Sequence, residues 1–188
     1  MTAVTNLISS GQLTAGMMKA GHSLKETTAK TSLLALGATF ELCSELVPEM
    51  QEEIADWDDG RRISIGVLPN GPFITIQKLG NRIKFLGASM KDPDLCVLFK
   101  NLDSAMLIFT AQIGAPQAVA ENRICVYGSN YNAMQTTRAM AIVQTYLFPG
   151  ILLKMTFKRP PQLSLKQIAI KTKIMGMLVP RLAAIVGR

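Results

Sequence analysis

The feature that most constrains this chain is a change of hydrophobic period at Arg61. Before it, Leu33, Leu34, Phe40, Leu42, Leu46 and Val47 recur at spacings close to helical; beyond it, Ile63, Ile65 and Val67 alternate with other residues. A helix returns to the same face every 3.6 residues and a strand every 2, so the switch demands a layer of each kind. Three short alternating runs follow, Arg61 to Leu68, Phe73 to Gln77 and Arg82 to Leu86, separated by the turn signals Pro69-Asn70-Gly71-Pro72 and Leu79-Gly80-Asn81. That spacing predicts an antiparallel meander. Asp92-Pro93-Asp94 introduces a fourth strand, Leu95 to Phe99, which is apolar at every position and is therefore expected in the middle of the sheet. Arg123 to Gly128 is the fifth.

The remaining segments read as helices. One runs from Ser23 until Pro48 restarts it, and a short acidic helix continues to Trp57. Asn101 and Asp103 are N-cap types ahead of a helix that Gly114 should end; Pro116 to Glu121 forms a brief turn of helix, and Asn132 to Leu147 another full one. Pro160-Pro161 marks a hinge, and Ser164 to Val179 is a last helix with Pro180 expected to kink its end. Residues 1–22 contain Gly11, Gly16 and Gly21 and no clean period, and are expected to be a flexible arm. The fold class is α+β: a five-stranded, mostly antiparallel sheet covered on one face by helices, with extra helices at the N- and C-terminal ends. Four segments follow: the arm 1–22, N-terminal helices 23–56 packed on the domain, the sheet domain 57–149, and a helical extension 150–188.

Charge divides the chain sharply. Residues 1–121 carry ten basic and thirteen acidic residues, eight of the acids between Glu41 and Asp59, whereas residues 122–188 carry ten bases and no acid. The net +7 is a basic tail on a slightly acidic body. Such a tail suits an acidic partner, an anionic membrane surface or nucleic acid. Nucleic acid requires aromatic side chains exposed among the bases, but Tyr127, Tyr131, Tyr146, Phe148 and Phe157 sit mostly within apolar runs, so no nucleic-acid partner is expected. The tail instead mixes its bases with Leu, Ile and Met, the pattern of a helix lying on an anionic membrane surface. Lys158, Arg159, Lys166, Lys171, Lys173 and Arg181 are the candidate membrane contacts. Packing on the domain itself or on a second subunit is the alternative.

No catalytic set can be assembled. His22 is the only histidine, and it lies in the Gly-rich arm without a placed partner. Gly11 to Met17 has the spacing of a phosphate loop, yet Met17-Met18 replaces the Lys and Ser/Thr that would hold phosphate and magnesium. Asp92 and Asp94 are too few for a calcium or magnesium cage. Cys43, Cys96 and Cys125 are far apart in apolar runs and read as reduced core thiols. No enzyme activity, metal or cofactor is expected. Met1 to Ser10 lacks the basic and apolar regions of a signal peptide. Neither Leu33 to Phe40 nor Ile174 to Val186 reaches the roughly 20 apolar residues of a membrane span. The expected location is cytoplasmic, peripheral to the membrane.

The stretch from Trp57 to Pro149 resembles the sterol carrier protein (sterol-binding) domain family. The residues that carry the resemblance are Asp59-Gly60 before the first strand, Asn70-Gly71-Pro72 at the first hairpin and Asp92-Pro93-Asp94-Leu95 entering the fourth strand. Asn101-Leu102-Asp103-Ser104-Ala105-Met106 and Asn122 to Ser129 complete it. Asn122 stands where the family usually has Gly, and Ser129 where it often has Asp. The resemblance implies an apolar tunnel between sheet and helices that holds a fatty acyl chain, acyl-CoA, phospholipid or sterol. Composition agrees: the chain is 48% hydrophobic but only 6% aromatic, with 11 Met, a supply of adaptable aliphatic and thioether side chains. The candidate lining is Phe73, Ile76, Phe85, Leu98, Met106, Phe109, Met134, Met140, Ile142 and Tyr146, with Arg138 as headgroup partner; each would serve equally in an ordinary core. The expected function is non-catalytic lipid binding and transfer. The alternative is an interaction or scaffold module that self-associates through the acidic 41–59 and basic 154–188 segments.

Overall fold

A computed structural model of the chain describes residues 2–110, 112–148 and 163–186. Helices α1 (Thr2–Leu46) and α2 (Pro48–Ala55) precede strands β1 (Arg62–Val67), β2 (Phe73–Leu79), β3 (Arg82–Gly87) and β4 (Leu95–Phe99). Then come α3 (Leu102–Phe109), α4 (Ala115–Ala120), β5 (Ile124–Tyr127), α5 (Asn130–Leu147) and α6 (Leu165–Val186). The strands form one sheet in the order β3-β2-β1-β4-β5. The meander β1-β2-β3 is antiparallel, as its turns predict, and β4 lies inside the sheet between β1 and β5. Only the β1–β4 pairing is parallel.

Register decides which side chains meet the helices. Ile63 pairs with Ile76 and Leu95, Ile65 with Ile74 and Val97, and Val67 with Phe99; across the last pairing Val97 faces Val126 and Phe99 faces Ile124. Partners in register share a face, so one side of the sheet is an aliphatic surface beneath the helices. On the other side Ser64 Oγ donates to Thr75 Oγ1 at 2.7 Å, and Thr75 donates in turn to the Ser89 carbonyl at 2.6 Å. This polar pair, fully buried, satisfies its own hydrogen-bonding groups where no helix lies.

Helix α1 crosses the apolar face with a buried stripe, Ala29, Leu33, Leu36, Phe40 and Cys43, at alternating spacings of four and three, and Val47 just past its end continues it. Each large apolar member stabilises the fold by about 1.5–3 kcal/mol of burial. Residues 21–27 of the same helix are exposed all round, so its contact with the core begins near Ala29. The helical backbone extends back through residues 2–22, where the sequence suggested an arm. No proline interrupts that stretch, and Gln12, Leu13, Ala15, Met17, Met18 and Lys19 are good helix formers.

Three further boundaries differ from the sequence expectation. Helix α3 ends at Phe109 rather than near Gly114, because Thr110 caps it, its hydroxyl donating to the Met106 carbonyl at 2.7 Å; Gly114 is instead the N-cap of α4. Helix α6 continues through Pro180 to Val186. Pro180 and Gly176 are both exposed, so water can reach the carbonyl that proline leaves without a donor. The cysteines are unbonded, but only Cys43 is a core thiol; Cys96 and Cys125 are half-buried on the face of the sheet that the helices leave open.

Two buried cations fasten the helices to the sheet. Lys78, on the helix side of β2, donates to the carbonyls of Ala55 and Trp57 at 3.2 and 2.5 Å and so closes the C-terminal end of α2. Arg61 lies over the Trp57 ring and donates to Gln135 of α5 at 2.7 Å and to Asp58 at 2.6 Å. The Arg61 hydrogen bond holds the Asp58 carboxyl below its usual range. No helix among the described residues is long and apolar enough to cross a membrane.

Candidate ligand cavity

Between the β4–β5 side of the sheet and helices α1, α3 and α5 lies a cavity of about 530 Å³. That is within the range of small-molecule sites, roughly 300–1,000 Å³. Its floor is Val97 and Phe99 of β4 with Ile124 and Val126 of β5. The register makes these four neighbours. Helix α1 contributes Ser32, Ala35 and Leu36, and α3 contributes Ile108 and Phe109, the latter edge-on to Phe99 with ring centroids 5.3 Å apart. Asn101 starts α3 by accepting a hydrogen bond from the Ser104 backbone at 2.8 Å, which orients that helix over the sheet. Helix α5 forms the long wall with Ala133, Thr136, Thr137, Met140, Gln144 and Leu147, residues that recur every three or four positions on one face, and Met134 and Phe148 lie at its two ends.

The most exposed lining residues are Val119, Val126 and Met134, at 58%, 43% and 63% of their free surface. They place the mouth between α4, β5 and the first turns of α5. Tyr131, in the first turn of α5, is also exposed. An apolar rim around an apolar cavity is costly in water unless something covers it.

Of the sequence-proposed lining residues, the structure brings Phe109, Met134 and Met140 to this cavity. Ile76 is a core residue of β2, and Phe85 covers the close approach of α1 at Gly37. Phe73 and Leu98 fall on the opposite face of the sheet, because both pair with Gly66; Phe73 lies over that glycine and lines a separate small polar groove. Met106 is half-buried on α3 away from the lining, Ile142 packs against the core from α5, and Tyr146 is fully buried, which pushes its phenol up to about 12. Arg138 is exposed and grips Glu53 of α2 at 3.0 Å, so it braces α5 and points away from the cavity. The residues that sequence reasoning missed are chiefly Val97, Phe99, Ile124, Val126, Ile108, Leu36 and Gln144. The α5 members carry a readable signal, the repeat through Ala133, Met140 and Leu147; the strand members do not, since β4 is apolar on both faces.

The basic segment is equally divided. Arg181 reaches Glu41 and Glu45 of α1, both at 3.5 Å, and Gln167 donates to Glu49 at 2.7 Å. Lys171 donates to the carbonyls of Thr145 and Phe148 at 2.7 and 2.6 Å, closing the C-terminal end of α5, and its burial lowers its pKa. Lys166 and Lys173 are exposed on α6. Lys158 and Arg159 lie outside the described residues. His22 is exposed on α1.

No family model and no curated protein matches the chain. Solved structures do. A ubiquinone synthesis protein described as UbiJ-SCP2 is 12% identical with a TM-score of 0.41, over 61% of this chain and 94% of its own. A conserved hypothetical protein of Thermus thermophilus, described as a possible sterol carrier protein, is 9% identical with a TM-score of 0.42, over 63% and 86%. The sterol carrier protein domain 2 of Helicoverpa armigera is 14% identical with a TM-score of 0.38, over 57% and 84%. The chain resembles sterol carrier protein domains. This chain's own architecture is an α+β arrangement with helices against a five-stranded mixed sheet.

Proposed function

We propose that this protein binds a hydrophobic lipid ligand in the cavity between α5 and the β4–β5 side of the sheet, without chemical change to the ligand. The observation that carries the reading is a 530 Å³ apolar cavity whose own mouth is exposed and apolar. At about 0.8 kcal/mol per buried methylene, ten methylenes give a gross driving force of about 8 kcal/mol, from which the cost of ordering the chain is subtracted. For ten methylenes the expected affinity therefore lies between about millimolar and micromolar.

The outward side of α6 is the proposed membrane contact. Leu165, Ile168 and Val179 are exposed there, Lys166 and Lys173 lie along one flank, and no acid occurs on the helix. An anionic bilayer meets both features at once, apolar side chains entering the interface and lysines reaching headgroups. The self-associating scaffold finds less support. The acidic residues it would use, Glu41, Glu45, Glu49 and Glu53, already meet Arg181, Gln167 and Arg138 within one chain.

Ala35→Phe tests the cavity. It directs a ring into the space from α1 and removes room for roughly four methylenes, so affinity for a twelve-carbon probe should fall by about two orders of magnitude. Unchanged affinity in a folded variant would remove the cavity from the account.

A further inference from the structure

Resting on the lipid reading, we infer that the cavity selects a lipid with an uncharged polar head, held by the side-chain amide of Gln144. Three observations combine. No acidic or basic residue is among the described lining residues. The two cations on α5 and α6 nearest in sequence to this wall are engaged elsewhere, Arg138 with Glu53 and Lys171 with the Thr145 and Phe148 carbonyls. Gln144 is among the lining residues and is 93% buried, and its side-chain amide makes no hydrogen bond to any described residue. An amide that faces the cavity can exchange water for a ligand's hydroxyl or carbonyl.

The hydroxyls beside Gln144 on α5 do not compete for this task, and Ser32 on α1 is a second lining group that can meet a polar head. Thr136 and Thr137 donate to the Asn132 and Ala133 carbonyls, both at 2.8 Å, leaving only acceptor capacity toward the cavity. Gln144 offers both functions, an amide N–H for a carbonyl and an amide oxygen for a hydroxyl. A carboxylate or phosphate would enter with no counter-charge and would have to protonate or stay at the mouth. Gln144 follows Met134 by ten residues, so it lies about 15 Å along α5 from the mouth. The ligand therefore enters head first, with its hydrocarbon tail filling the route back to Val119 and Val126. Long-chain alcohols, sterol-like alcohols and quinone-like carbonyl compounds have this chemistry.

The test titrates the protein with three probes that differ only in the head: 1-pyrenedodecanol, 1-pyrenedodecanoate and headless 1-dodecylpyrene. Near pH 8 the wild-type protein should prefer the alcohol to the carboxylate by at least about tenfold, and the preference should narrow toward pH 5 as the carboxylate protonates. Gln144→Leu should weaken the alcohol about three- to tenfold and leave the headless probe unchanged or tighter. A carboxylate bound as tightly as the alcohol overturns the inference and needs no variant. So does a Gln144→Leu protein that loses all three probes alike, or that keeps the alcohol unchanged. Each of those results leaves lipid binding intact, whereas the absence of saturable binding for every probe removes the lipid reading together with this one.

Discussion

Gly128 closes β5 and turns the chain into α5, so the wall of the cavity depends on a residue with no side chain. Its φ of +131° belongs to a region that side chains avoid, and a Cβ built there would stand 2.6 Å from the Asp94 carbonyl oxygen and 3.3 Å from the Leu95 Cα. Both are backbone atoms, which cannot rotate away. Gly128→Ala therefore combines a backbone strain of about 1–3 kcal/mol with overpacking of about 1–3 kcal/mol. The expected total is about 3 kcal/mol. Gly80 in the β2–β3 turn separates the two contributions, because its φ is also positive, at +56°, but nothing lies within 4 Å of its Cβ position. Gly80→Ala should cost only about 1 kcal/mol. At about 2–4 °C per kcal/mol for a chain of this size, Gly128→Ala lowers Tm by about 6–12 °C and Gly80→Ala by about 2–4 °C. Circular dichroism melts and urea midpoints of both variants decide it. Equal losses in the two, or a Gly128→Ala protein within about 2 °C of wild type, would refute the reasoning.

Alkaline stability should report two buried groups: burial raises the Cys43 thiol from 9.0 to about 12 and the Tyr146 phenol from 10.0 to about 12. The folded chain holds these protons after the unfolded chain has released them, so their contribution is complete below pH 9 and is lost as pH rises toward 12; Cys43→Ala with Tyr146→Phe should flatten that decline in urea midpoints. The same burial keeps Cys43 unreactive, so a thiol reagent near pH 8 should modify no more than Cys96 and Cys125 until urea is added, as counted by mass spectrometry. Arg181→Ala breaks the contacts to Glu41 and Glu45 and should cost about 1 kcal/mol in dilute buffer, with the difference shrinking in high salt. Lys166→Glu with Lys173→Glu should abolish sedimentation with phosphatidylserine vesicles while probe binding in the cavity persists; retained sedimentation would exclude α6 as the contact.

Much of the architecture is legible in the residues because each signal is local. Alternation at Ile63, Ile65 and Val67, the Pro69 to Pro72 and Gly80 turns, and the Asn101 cap specify strands, hairpins and a helix start without reference to the rest of the chain. The cavity is different, since it is made by parity and pairing. Leu98 and its neighbours Val97 and Phe99 are equally apolar, and only the β4–β5 register, with Val97 facing Val126 and Phe99 facing Ile124, reveals which of them look toward α5. Phe73 was out of reach for the same reason: its partner Gly66 assigns it to the open face. Charge was legible as a division along the chain and not as a set of contacts, because the pairing of Arg181 with Glu41 and Glu45 joins residues far apart in sequence.

Equilibrium binding of 1-pyrenedodecanol to wild-type protein and to Ala35→Phe tests the central claim most directly. The account predicts saturable uptake of one probe per chain by the wild type and a loss of about two orders of magnitude in affinity in the folded variant. Absence of saturable uptake by the wild type, or equal binding by both proteins, would contradict it.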